Sequence, residues 1–289
     1  MDPLPLPSNL VAAARSEGRG GWLDLLPGLV AEAAARWSLT LGPPFEPGGV
    51  TAWVAPARGP RGTDLVLKVV WPHDDAAHEA AGLRAWDGRG AVRLHAATRL
   101  DGAVALLLER CRPGVPLSGL PEPEQDMIVA GILRRLWSAS VPVDAGFSTL
   151  AAMCDRWAGE FERRAAAGRC PLDAGLARTA LEVFRSLPST ADDRVLLATD
   201  LHAGNVLSAE RHPWLAIDPK PHVGDPAYDA TQHMLNCDRL HSDPEALADR
   251  MAGLLGLDRA RVRLWLFARC AQESPDWPGL DDVARRLAP

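Results

Sequence analysis

Two stretches carry the reading of this chain: Ala198-Thr199-Asp200-Leu201-His202-Ala203-Gly204-Asn205-Val206-Leu207, and then Ala216-Ile217-Asp218-Pro219-Lys220-Pro221. Asp200 and Asn205 form a D-x-x-x-x-N pattern, and Asp218 follows Asn205 by 13 residues, after an apolar run. The β-like runs Val206–Leu207 and Trp214–Ile217 predict a two-stranded hairpin that carries a metal site, with Asp200 on a loop beside it. Asn205 offers a neutral carbonyl oxygen and Asp218 a carboxylate, the hard oxygen donors that Mg2+ prefers beside water and substrate phosphates. Asp200 is then free to accept a proton from a hydroxyl nucleophile. This is the arrangement of kinase-type phosphoryl transfer, which works by positioning and charge neutralisation. Either aspartate alone could simply cap a turn. All three residues at this spacing, flanked by apolar strands, favour the site.

Such a site also needs an ammonium for nucleotide phosphates and a helical carboxylate to hold it. Leu65-Val66-Leu67-Lys68-Val69-Val70 places Lys68 in an apolar strand, and Glu79 follows 11 residues later on the next helix. The competing explanation is an edge-strand charge that deters aggregation. Only two of the 31 basic residues are lysines, Lys68 and Lys220, so an arginine-favouring composition kept an ammonium at each. His78-Glu79 does not open a zinc-binding HExxH motif, because Gly82 stands where the second histidine belongs.

Around these residues the chain divides in two. An opening helix is expected over Trp22–Leu39, then β-like runs Val50–Val54 and Leu65–Trp71 separated by a turn-rich Pro56–Thr63. A helix from Asp75 to Trp86 presents Ala76, Ala80, Leu83 and Trp86 on one apolar face. The strand pair Ala91–Arg99 and Ala103–Glu109 turns at Asp101-Gly102. After Arg112-Pro113-Gly114 the pattern is mainly helical, over Glu122–Ser140, Thr149–Ala167, Ala174–Leu187, Pro244–Leu254 and Arg259–Gln272. Val195–Ala198 adds one more β-like run to the patch that holds the motif. Residues 1–110 carry 11 basic and 12 acidic side chains, and residues 111–289 carry 20 and 25, so a cationic ligand is drawn to the second part.

Composition excludes several classes. At 47% hydrophobic and 24% charged residues the chain is an ordinary globular protein. A net charge of −6 with no Lys/Arg-rich run argues against nucleic acid as a partner. Met1–Leu10 lacks a basic n-region and a long apolar core, so no signal peptide is expected. Apolar runs such as Ala103–Leu108 fall far short of the ~20 residues of a membrane span. The five cysteines are odd in number and too far apart for a CxxC knuckle. Buried free thiols in the cytoplasm are the expectation.

Together these residues resemble the aminoglycoside phosphotransferase family, whose members share a two-lobed, protein-kinase-like fold. The runs Ile217-Asp218-Pro219-Lys220-Pro221 and Gly224-Asp225-Pro226-Ala227-Tyr228-Asp229 are most similar to the branch of streptomycin 6-phosphotransferases and hydroxyurea phosphotransferases. Trp86–Leu94 and Leu107-Leu108-Glu109-Arg110 add to the likeness, while the D-x-x-x-x-N…D skeleton is shared with choline and other small-molecule kinases. The resemblance implies an α+β fold with a small β-rich nucleotide-binding lobe, 1–110, and a larger, mainly helical catalytic and substrate-binding lobe, 111–289. It implies ATP and Mg2+ as cofactors, with Asp200 as catalytic base and Asn205 and Asp218 on the metal. Lys68, held by Glu79, would contact the α/β-phosphates. Gly48 and Gly49, within Pro47–Thr51, would stand in the phosphate-covering loop, which here lacks a G-x-G-x-x-G pattern. The backbone of Glu109 and Cys111 would hold adenine. The family's usual His-Gly-Asp appears here as Ala198-Thr199-Asp200, so the histidine that helps fix the loop is missing.

His202 either braces that loop or lies near the phosphate, and Lys220 either faces the transferred phosphate or the Asp218 shell, or lies on the surface. Asp225, Asp229 and Glu273 are candidate contacts for a cationic substrate. For Asp225 and Asp229, capping and anchoring of a helix starting near Ala227 is the alternative. The expected reaction moves the γ-phosphoryl group of ATP to a hydroxyl of a small cationic molecule, an aminoglycoside of streptomycin type, with no obligate protein partner, nucleic acid or membrane. The alternatives are a kinase for another small metabolite and a nucleotide-binding module without transfer activity.

Overall fold

The computed structural model of the chain describes residues 3–72, 76–141 and 146–289. The expected helix start at Asp75 and the side chain of Ala76 lie outside what is described. Two compact units are found, one running up to Gly114 and including Ala209–Arg211, the other holding Val115–Ser208 and His212–Pro289.

The first unit opens with helices α1 (Ser8–Ser16) and α2 (Gly20–Arg36). Strands β1 (Thr40–Leu41), β2 (Ala52–Arg58) and β3 (Asp64–Val70) follow, then helix α3 (Ala76–Trp86) and strands β4 (Leu94–Leu100) and β5 (Ala103–Glu109). The strands form one antiparallel sheet in the order β1-β2-β3-β5-β4, so β3 is its centre. Alternate residues of a strand face opposite sides. Trp53, Ala55, Leu67, Val69 and Ala105 form a core on one side with Leu10 and Ala14 of α1 and Trp22, Leu26 and Val30 of α2. Lys68 therefore points to the other side, opposite Val54 on β2 and Leu106 on β5. An edge-strand role for Lys68 is excluded, because β3 is paired along both edges.

Two expectations here need correction. The first strand is expected over Val50–Val54, before a turn-rich Pro56–Thr63, yet β2 spans Ala52–Arg58 and runs through Pro56. A strand residue points its N–H and C=O toward the same neighbour. The Pro56 carbonyl accepts from Gly42 N at 2.8 Å, so the N–H that proline lacks falls on the β1 side, beyond the end of that short strand, and the ladder with β3 loses nothing. The expected strand over Ala91–Arg99 starts only at Leu94, with a register shift between Leu94 and Ala96.

The second unit contains helices α4 (Glu122–Trp137), α5 (Leu150–Ala166) and α6 (Ala174–Ser186), then strands β6 (Val195–Leu197), β7 (Val206–Ser208), β8 (Trp214–Ala216) and β9 (His222–Gly224). Helices α7 (Pro226–Asp229), α8 (Thr231–Leu235), α9 (Arg239–Ser242), α10 (Pro244–Leu255), α11 (Arg259–Glu273) and α12 (Leu280–Leu287) complete it. Thr149 and Asp173 cap α5 and α6 through their side-chain oxygens, as their residue types favour. Helix α11 is buried along most of its length, with Trp265 edge-on to Tyr228 and Phe184. Strands β6 and β9 pair, as do β7 and β8, and the segments between them carry the motif residues. No helix among the described residues is long and apolar enough to cross a membrane.

Candidate active site

In the first unit, Lys68 Nζ lies 2.8 and 2.7 Å from the two carboxylate oxygens of Glu79. The residues are 5% and 3% exposed, so each charge is offset by the other in a desolvated setting. Gly48 takes a positive φ of 78°, and an added Cβ would approach Pro7 to 2.4 Å. Asn9 donates from Nδ2 to Gly48 O and from its backbone N–H to Pro47 O, so this part of the expected phosphate loop is tied to the start of α1. Gly49 is exposed with open space around it. The Glu109 N–H is committed to Arg93 O, and its carboxylate receives Arg211 Nε and Nη2, each at 2.8 Å. Cys111 is a buried free thiol whose pKa burial pushes up to about 11.

In the second unit, the segments after β6 and β8 lock onto each other. Asn205 donates from Nδ2 to Asp200 O at 3.0 Å and accepts at its own carbonyl from Ile217 N at 2.9 Å, which sets it beside Asp218 at the end of the hairpin. With the amide nitrogen committed, the Asn205 side-chain oxygen and the Asp218 carboxylate make a hard-oxygen donor pair that fits Mg2+. Lys220 N donates to Ala198 O at 2.9 Å, and Lys220 Nζ lies 2.8 Å from Asp200 Oδ2. His202 Nδ1 accepts from Gly204 N at 3.1 Å, a bond that braces the loop, and burial holds the imidazole below its ordinary pKa.

The remaining candidates have structural partners. Asp225 caps α7 by accepting from Ala227 N at 3.0 Å, and it also receives Arg261 Nε and Trp265 Nε1, each at 2.6 Å. Asp229 is fully buried and accepts from Ala198 N at 3.0 Å, Thr199 N at 2.7 Å and Trp137 Nε1 at 3.0 Å. Neither carboxylate presents itself to a substrate, because both are sealed among protein donors. Asp229 instead fixes the backbone just before Asp200. Glu273 accepts from the buried Arg269, which stacks 4.8 Å over the Trp157 ring.

Burial lifts the Asp229 carboxyl to about 6, against three N–H donors that favour its ionised form. Because the folded value exceeds the unfolded one near 3.8, the group's contribution is full below the unfolded value and is lost as pH rises through about 6. Subtracting the stability of Asp229→Asn from that of wild type should leave a difference that declines between about pH 4 and pH 7. A flat difference in urea denaturation across that range would contradict the assignment.

Several residues escaped the sequence reading. An open pocket of about 560 Å3 in the second unit is lined by Glu122, Gln125, Asn236 and Asp238 together with His202 and Gly204 of the Asp200 loop. Behind it, Asp126 is buried and receives Arg239 at 2.8 and 2.9 Å, Arg250 at 2.7 Å and His233 at 3.0 Å. Asp126, His233 and Cys237 stand within metal-ligand reach of one another. Two guanidinium groups already neutralise the carboxylate, and burial pushes the Cys237 thiol up to about 12, so the cluster works as a charge network tying α4 to α9 and α10. No local signal marks such contacts, whose partners lie more than 100 residues apart in sequence.

The profile of the aminoglycoside/hydroxyurea antibiotic resistance kinases matches residues 36–279. A hydroxyurea phosphotransferase of Kitasatospora aureofaciens is 41% identical over 279 residues, 92% of this chain and 78% of that protein. A streptomycin 6-kinase of Streptomyces glaucescens is 34% identical over 283 residues, 94% of this chain and 89% of that one. Among solved structures, an aminoglycoside phosphotransferase in complex with ADP and hygromycin B has the same kind of fold, with a TM-score of 0.56 at 15% identity over 89% of this chain and 94% of that one. A sheet-based unit followed by a helical one, the paired lysine and glutamate, and a match over most of the sequence converge on one assignment. The chain belongs to the family of aminoglycoside/hydroxyurea antibiotic resistance kinases, with their kinase-like fold.

Proposed function

We propose that this phosphotransferase moves the γ-phosphoryl group of ATP to a hydroxyl of a streptomycin-type aminocyclitol. Membership of the kinase family carries the phosphotransferase activity. The acceptor class rests on the pocket beside the Asp200 loop. Its volume of about 560 Å3 suits a drug-sized ligand, and its wall holds carboxylates and amides, which pair with ammonium, guanidinium and hydroxyl groups. Both oxygens of Glu122 are engaged, Oε1 by Asp238 N and Oε2 by Arg239 N and Nε, whereas the Asp238 side chain is exposed and is the carboxylate offered to a cation.

In the reaction, the acceptor hydroxyl gives its proton to Asp200 as its oxygen bonds the γ-phosphorus. The bond from that phosphorus to the β,γ-bridging oxygen breaks with its electron pair, and ADP leaves. Mg2+, held by Asn205 and Asp218, would neutralise charge on the phosphate oxygens. Lys68 supplies a fixed positive charge for the α- and β-phosphates, and Glu79 keeps it in place. The Glu109 carbonyl and the Cys111 N–H are the main-chain groups assigned to adenine. Asp229 and His202 hold the Asp200 loop.

Hydroxyurea is the second reading, favoured by the 41% identity to a hydroxyurea phosphotransferase. A molecule of a few heavy atoms leaves most of the pocket filled with water. Parallel measurement of ADP release with each acceptor decides between them. A larger kcat/KM for streptomycin supports the first reading. Turnover of hydroxyurea alone replaces it with the second.

A further inference from the structure

The backbone around Asp200 is held in an unusual way. Thr199 has a φ of 51° and Asp218 also a φ of 51°, so two residues with side chains occupy the left-handed region that favours glycine. Each sits next to a reacting group, and one residue links the two segments. Lys220 donates its N–H to Ala198 O, accepts Thr199 Oγ1 at its carbonyl at 2.5 Å, and places Nζ 2.8 Å from Asp200 Oδ2. Pro219 and Pro221 flank it and narrow its backbone freedom. The base of this side chain is thus fixed before any ligand binds.

We propose that Lys220 is a positioning residue for the transfer, holding Oδ2 of Asp200 so that Oδ1 is presented to the acceptor hydroxyl. The idea rests on the reading of Asp200 as the base. It explains why a chain with 29 arginines keeps a lysine here. A guanidinium presents two parallel N–H groups and clamps both oxygens of a carboxylate, which would fix the carboxylate plane on the guanidinium and weaken Oδ1 as an acceptor for the substrate hydroxyl. An ammonium can hold one oxygen and leave its partner free. The Lys220 side chain is 41% exposed, so its pairing adds little to global stability and its effect should be on geometry.

The test compares Lys220→Met and Lys220→Arg. Misplacing a reacting group by about 1 Å can cost about 10²-fold, so Lys220→Met should lower kcat by about 10- to 100-fold. The KM for ATP and the melting temperature should stay near wild type. Lys220→Arg should fail to restore kcat, whereas a purely structural or charge-balancing lysine would be replaced by arginine without loss. A wild-type kcat in either variant overturns the proposal. A second measurement is independent of turnover: in a crystal structure of Lys220→Met the Asp200 carboxylate should leave its wild-type orientation, and an unchanged Asp200 side chain also overturns the proposal. If wild type turns over no acceptor, the assigned reaction fails while this comparison still decides whether Lys220 holds Asp200.

Discussion

Replacing Asp200 with alanine should lower kcat by about 10²- to 10⁴-fold, the usual contribution of a positioned acid–base group, with Mg-ATP affinity largely retained. The fold should tolerate the change. The Asp200 side chain is 18% exposed, and its ion-pair partner Lys220 is 41% exposed and becomes solvated when the carboxylate is removed. The neighbouring backbone stays fixed by Asp229 on Ala198 N and Thr199 N and by Asn205 on Asp200 O. Loss of turnover with unchanged melting and nucleotide titration would separate catalysis from structure. Wild-type turnover in Asp200→Ala would remove the base from the scheme.

Lys68→Met should act on stability and binding together. The Lys68–Glu79 pair lies on the central strand with both groups nearly excluded from solvent. Removing one partner leaves a buried carboxylate without its counter-charge, a change that costs about 3–5 kcal/mol. Lys68→Met combined with Glu79→Leu should recover much of that loss, because an apolar pair of similar volume does not strand a charge. Neither variant should bind Mg-ATP with wild-type affinity, since the ammonium is gone from both. Urea midpoints and nucleotide titration of the three proteins check this. A single variant as stable as wild type would mean that Glu79 is neutral or solvated.

What could be read from the sequence was local. Asp200, Asn205 and Asp218 sit on consecutive segments of one hairpin region, and Lys68 and Glu79 on a strand and the helix after it, so their spacing encodes their geometry. Contacts made across the fold left no such trace. Asp229 reaches Ala198 from 31 residues away, and Arg211 reaches Glu109 from 102. The Asp225–Asp229 segment reads as a candidate substrate contact with helix capping as the commoner role, and burial among protein donors decides for the structural one. Helix α1 buries just Leu10 and Ala14, too short an apolar stripe to stand out. Strand β1 has two residues and β9 three, lengths at which period-two alternation carries no signal. Pro56 read as a turn because the side of the strand that its missing N–H faces is set by β1, which the sequence did not reveal.

The central claim is transfer of a phosphoryl group to a streptomycin-type hydroxyl by way of Asp200. Mass spectrometry of streptomycin after incubation with the protein and Mg-ATP tests it most directly. The account predicts that the acceptor gains one phosphoryl group in step with ADP formation, and that the gain disappears when Mg2+ is chelated or Asp200 is replaced by alanine. ADP formation with no mass gain on streptomycin, or an unchanged yield with Asp200→Ala, would contradict it.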